Sequence, residues 1–98
     1  MMETRVNAIC LDAKDNVVTL TKDIRQGEEV YYRNQAGVLV MIKASQDTPA
    51  FHKIATQAIR QNEIVYKYGM PIGMAKKEIA IGGYVHTHNV KSEVSHEI

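Results

Sequence analysis

One short phrase recurs along this chain, and it limits the fold more than any other feature. Thr21-Lys22-Asp23-Ile24-Arg25-Gln26-Gly27-Glu28-Glu29-Val30-Tyr31 matches Thr56-Gln57-Ala58-Ile59-Arg60-Gln61-Asn62-Glu63-Ile64-Val65-Tyr66 at seven of eleven positions. A weaker copy is Ile79-Ala80-Ile81-Gly82-Gly83-Tyr84-Val85. The shared core is Ile, two residues, Gly or Asn, two residues, Val. It reads as a turn feeding a strand. The Ile anchors the turn in a core, the Gly or Asn tolerates a left-handed backbone at the corner, and the Val opens the next strand. The copies are unevenly spaced, which argues against a solenoid and for one domain with three similar corners.

The rest of the chain fits a mostly β domain of short strands with little helix. Strands are expected over residues 5–12, 17–20, 29–33, 38–43, 53–56, 64–68, 72–75 and 85–89. Asp15-Asn16, residues 34–37 and Asp47-Thr48-Pro49 supply the punctuation. A helix over residues 48–61, with Ile54, Ala58 and Ile59 on one face, is the competing reading of that segment. Close spacing of the strands suggests a small sandwich or a folded-over sheet. At 98 residues, 45% hydrophobic and 23% charged, the chain has the makings of one real core.

Cys10 is the only cysteine. It reads as a small apolar strand residue rather than a nucleophile. No signal-peptide pattern and no membrane-length apolar run is present, so a reducing cytoplasm is the expected setting. A formal net charge of +1 with scattered Lys and Arg gives no electrostatic case for nucleic acid or a membrane surface.

Chemistry points to His86-Thr87-His88-Asn89. On a strand, residues two apart share a face, so His86 and His88 are expected side by side with Thr87 turned away. Such a pair can hold a divalent metal, or one imidazole can serve as general acid or base near neutral pH. Two half-exposed edge-strand histidines are the plain alternative. His52 can add a third imidazole or simply bond to backbone. Asn89 can cap a turn or bind a substrate oxygen. The basic residue closest to this segment in sequence is Lys91. His96 lies in a polar tail, expected over residues 91–98 after a domain spanning residues 1–90. Tyr66 and Tyr68 read as packing on a strand face.

A longer pattern carries a resemblance. His52-Lys53-Ile54-Ala55, Ile59, Glu63, Val65, then Lys67-Tyr68-Gly69-Met70-Pro71-Ile72-Gly73-Met74-Ala75, Ile79, Gly82 and Val85-His86-Thr87-His88-Asn89 appear in one order. That order resembles the SAF domain of altronate and galactarate dehydratases, which two-subunit sulfolactate sulfo-lyases carry as a separate small subunit. Two positions depart from the pattern: Phe51 and Asn62 stand where Gly is usual. The resemblance implies a β-clip fold and a small lyase subunit. Its reaction eliminates water or sulfite from a sugar acid or a related hydroxy- or sulfo-carboxylic acid.

The same resemblance implies catalytic roles for His86 and His88, with Asn89 and His52 binding substrate. It implies a divalent metal, Fe2+ or Mn2+, weakly held by His86, His88 and His52. Because the large catalytic region is not in this sequence, a large subunit on a separate chain is the expected partner, and the chain alone is expected to be inactive. A homo-oligomer would close part of a pocket but only repeat the same groups. The rival reading is a non-catalytic binding or assembly module, since SAF-like domains also resemble parts of sialic acid synthases, antifreeze-type proteins and pilus or flagellar chaperones. The His-Thr-His-Asn segment separates the two readings, because assembly alone does not require it.

Overall fold

The computed structural model describes residues 5–92 and contains no helix among them. Nine short strands follow in order: β1 (Ala8–Ile9), β2 (Val17–Leu20), β3 (Glu29–Arg33), β4 (Leu39–Lys43), β5 (Lys53–Ala55), β6 (Ile64–Lys67), β7 (Met70–Ala75), β8 (Tyr84–Val85) and β9 (Val90–Lys91). All pairings are antiparallel. The central sheet has the order β1-β2-β5-β8, flanked by the β3-β4 hairpin and by the sheet β6-β7-β9.

The centre of the fold follows from strand alternation. Val18, Leu20 and Ile54 point to one face of the central sheet and join Ile24, Val30 and Tyr32 in a first core. Val17, Ala55 and Val85 point to the other and join Ile59, Val65 and Ile79 in a second. The central sheet is therefore buried on both sides, with one outer unit packed on each face. Each fully buried Val, Leu or Ile contributes about 1.5–3 kcal/mol by leaving water.

The repeated phrase builds two interlocked halves. Asn7 clamps β3 through its amide, donating to Glu29 O at 3.1 Å and accepting from Tyr31 N at 2.8 Å. Asn16 does the same for β6, donating to Ile64 O at 3.0 Å and accepting from Tyr66 N at 2.9 Å. Isolated bridges join Ile24 to Thr48 and Ile59 to Ile79. These pairs place the corners opposite one another, and there are four of them rather than three. Gly27, Phe51, Asn62 and Gly82 all have φ between 70° and 86°. Each is the third residue of the same tight turn: Glu28, His52, Glu63 and Gly83 donate N–H to the carbonyls of Arg25, Pro49, Arg60 and Ala80.

The fourth corner, Thr48-Pro49-Ala50-Phe51, keeps the spacing of the phrase but carries neither its Ile nor its Gly. It also replaces the expected helix over residues 48–61. Phe51 turns the backbone left-handed, and Ile54 and Ile59 then enter different cores. A left-handed backbone costs a residue with a Cβ about 1–2 kcal/mol. The Phe51 side chain is 77% exposed and brings little packing in return. Phe51→Gly is therefore expected to stabilise the domain by about 0.5–1 kcal/mol, after allowing for the extra freedom of Gly in the unfolded chain. Urea unfolding of the two proteins measures this directly.

Strand expectations hold at β2 and β3 and within a residue or two for most others, but the strand expected over residues 5–12 shrinks to Ala8–Ile9, and the segments after β6 and β8 differ as well. Residues 85–89 are not a strand: β8 stops at Val85 and residues 86–89 turn the chain into β9. Lys91 belongs to β9, pairing with Met74, so the start of the expected tail is part of a sheet. Residues 93–98, including His96, lie outside the described residues. Tyr68 sits beyond β6 in the turn to β7, with φ 60°, and does not share a strand face with Tyr66.

Candidate functional site

Pairing of β5 with β8 assembles the site. Lys53 faces Val85 and Ile54 faces Tyr84. Continuing this register by one residue sets His52 opposite His86. Their ring centroids are 4.8 Å apart at an interplanar angle of 46°. Tyr84, two residues before His86, lies beneath both. Its hydroxyl is 2.7 Å from His52 Nδ1. Its ring stacks on His86 at 5.7 Å and meets His88 at 5.3 Å. Three imidazoles thus gather around Tyr84, with His52 half-buried and His86 and His88 exposed.

The turn after β8 is held by Asn89, whose exposure is only 5%. Its Oδ1 accepts from His86 N at 3.0 Å, and its Nδ2 donates to Tyr84 O at 2.8 Å. The backbone adds Asn89 N to His86 O at 3.1 Å. The chain then enters β9 beside Gly73, where a Cβ would collide with Val90 and with Lys91 O. The amide of Asn89 is thus occupied with turn backbone, and the capping reading, not substrate contact, describes its place. The turn also breaks the period-2 argument. His86 and His88 are not strand neighbours, and the close imidazole pair is His52 with His86.

A second wall lies on the opposite face of β5. Lys53 points there with Val85, as does its other cross-strand neighbour Thr19. A cavity of about 230 Å³ is lined by Lys53, Ile72, Val85, His86, Thr87, Val90 and Ser92. His86 is the residue common to this cavity and to the ring cluster. Partial loss of water, and then the charges of His52, Lys53 and His88, pull the His86 pKa below the ordinary histidine value. Burial pushes the Lys53 ammonium pKa down as well, and Lys67 adds to that effect. The neutral form of His86 is favoured near pH 7.

Among the described residues, no three His, Cys, Asp or Glu side chains converge so as to hold a metal ion. Of the expected set His52, His86 and His88, His52 has Nδ1 engaged by Tyr84 and offers only Nε2, and the three side chains do not converge on one point. The divalent metal implied by the resemblance therefore does not fit this chain's own residues as a complete site. Lys53 and Tyr84, by contrast, went unrecognised in the sequence as parts of the site. Lys53 is far from His86 in sequence and reaches it only through β5–β8 pairing.

Residues 6–93 match the family described as the altronate/galactarate dehydratase SAF domain. The chain belongs to that family. Among curated relatives, altronate dehydratase of Bacillus subtilis is 38% identical over 87 residues, covering 89% of this chain but 16% of that protein. Altronate dehydratase of Escherichia coli is 39% identical over 87 residues, again 89% of this chain and 17% of the relative. The alpha subunit of (2R)-sulfolactate sulfo-lyase from Paracoccus pantotrophus is 38% identical over 52 residues, which is 53% of this chain and 78% of that subunit. The SAF domain described here thus spans about one sixth of the altronate dehydratases it matches. These relatives tie it to lyases. No helix among its described residues is long and apolar enough to cross a membrane.

Proposed function

We propose that this SAF domain acts as the small subunit of a cytoplasmic lyase and supplies histidines to a site shared with a large catalytic subunit. The reaction is elimination of water, or of sulfite, from a sugar acid or related hydroxy- or sulfo-carboxylic acid. The observation that carries this reading is the cluster of His52, Tyr84, His86 and His88 on an open surface. Similarity to a sulfo-lyase alpha subunit, of which the matched region is 78%, supports a stand-alone small subunit.

Elimination next to a carboxylate needs a base for the carbon-bound proton and an acid for the leaving group. His86, held neutral, takes the proton. In its protonated form His52 is the acid: Nδ1 stays bonded to the Tyr84 hydroxyl 2.7 Å away, and Nε2 carries the proton to be given up. From there it passes to a departing hydroxyl, which leaves as water. The carbon–carbon double bond left behind is an enol, and it rearranges to the 2-keto acid. Negative charge building on the carboxylate needs cations or donors around it. We infer that the Fe2+ or Mn2+ implied by the resemblance is held by the large subunit and not by this chain.

The chain alone is expected to be inactive, because its site is open and lacks the walls that exclude water. The test is to purify the chain alone and together with the product of an adjacent large-subunit gene. Both are supplied with iron or manganese without oxygen and assayed on a panel of sugar acids and sulfolactate. Turnover only by the pair supports the small-subunit reading and names the substrate. Turnover by the chain alone refutes it, and inactivity of both on every acid favours an assembly module.

A further inference from the structure

We propose that the cavity behind His86 is an anion subsite, in which Lys53 binds the carboxylate or sulfonate end of the substrate while the adjoining carbons lie against His86. Identifying that anion as the end of a lyase substrate rests on the function proposed above.

Five observations carry it. Lys53 lines a cavity of about 230 Å³ together with His86, Thr87 and Ser92. Its ammonium has no acidic partner among the described residues, although it is half-buried. A cation placed so is costly unless something of opposite charge comes to it. The remaining walls are apolar, from Ile72, Val85 and Val90, so little water competes with an incoming anion. Lys67 is near enough for its charge to act on Lys53, which raises the local positive potential without neutralising it. Finally, the cross-strand neighbour of Lys53, Thr19, has a buried hydroxyl with no hydrogen-bond partner. The strand beside Lys53 therefore holds polar capacity that the fold itself does not use.

Size decides what enters. A complete small-molecule site is usually about 300–1,000 Å³. This cavity is smaller and takes one charged end of an acid, not the whole chain of a sugar. Since His86 borders both the cavity and the ring cluster, an acid anchored on Lys53 presents the carbon next to its charged group to the His86 imidazole. That is the carbon from which an elimination takes its proton. The two halves of the site thus have separate tasks: Lys53 captures and orients, and the rings move protons.

The experiment uses the full chain without any partner. It is titrated with lactate, with 2-hydroxyethanesulfonate and with glycerol, and followed by NMR of the backbone amides and the lysine side chains. Both anions, or one of them, are expected to shift Lys53, Val85 and Thr87 with a millimolar dissociation constant, and glycerol to shift none. Response to one anion only distinguishes a carboxylate subsite from a sulfonate one. Lys53→Met is expected to weaken binding by about tenfold or more, the scale of one charge-assisted contact. Lys53→Arg should retain most of the binding, and Lys77→Met should leave it unchanged.

Absence of shifts in the parent chain, or Lys53→Met binding as the parent does, overturns the subsite. So does equal loss in Lys77→Met, which would mean capture by overall charge. Because this readout is binding and not turnover, its failure is separate from failure of the lyase reading. A Lys53-dependent anion site on a chain that forms no active pair would sink the lyase reading and leave the subsite standing.

Discussion

Replacing His52 and His86 together by alanine is expected to lower kcat of the assembled pair by about 10²–10⁴-fold, the usual range for losing general acid–base groups. Stability of the domain should change by only about 1 kcal/mol, because His86 is exposed and His52 gives up a single side-chain hydrogen bond. The separation of the two effects is the point of the experiment. His52 and His86 face each other across β5 and β8 with centroids 4.8 Å apart, so either ring alone can take over part of the other's task. The double variant should therefore be far worse than His88→Ala, since His88 meets the cluster through the Tyr84 ring. Turnover by the double variant equal to that of the parent pair would remove both histidines from the chemistry.

Asn89→Ala is expected to cost about 2–4 kcal/mol of stability. Two hydrogen bonds disappear at a position only 5% exposed. The substitution leaves His86 N–H and Tyr84 C=O without their side-chain partner, and burying such groups unpaired costs about 1–3 kcal/mol each. The damage also reaches function. The same amide fixes where β8 ends and how His86 leaves the strand, so loosening it separates His86 from His52. Activity of the pair should fall even at temperatures where the variant is fully folded. Calorimetry with a parallel assay checks this. A variant as stable as the parent would mean that the turn is held by its backbone bond alone.

Much of the fold was legible because local alternation and turn chemistry agreed. Val17–Leu20 and Glu29–Arg33 are strands with the boundaries expected from their patterns. The repeated phrase correctly signalled corners, and Asn62 does occupy a left-handed position. What failed was hidden from local reading. Phe51 is a corner without the Gly or Asn that marks one, although Thr48, Phe51 and Ile54 preserve the spacing of the phrase. His86 to Asn89 are all polar, so hydrophobic alternation could not tell strand from turn there, and the deciding bond is one that Asn89 Oδ1 accepts from His86 N.

The nearness of His52, His86 and His88 around one place was legible, but their arrangement was not. Two residues that depend on long-range register, Lys53 and Tyr84, were invisible as site members. Nothing in the spacing of Lys53 and Val85 announces that β5 and β8 are neighbours. Lys91, nearest to His86 by sequence among the basic residues, belongs instead to the β7–β9 ladder.

The central claim is that the ring cluster is the face that meets a large catalytic subunit. Backbone amide exchange of the chain, measured free and bound to that subunit, tests it most directly. The account predicts slowed exchange at residues 50–53 and 84–89 on binding, with the hairpin turn at residues 34–37 unaffected. Protection confined to the hairpin turn, with His52, His86 and His88 exchanging as in the free chain, would contradict it.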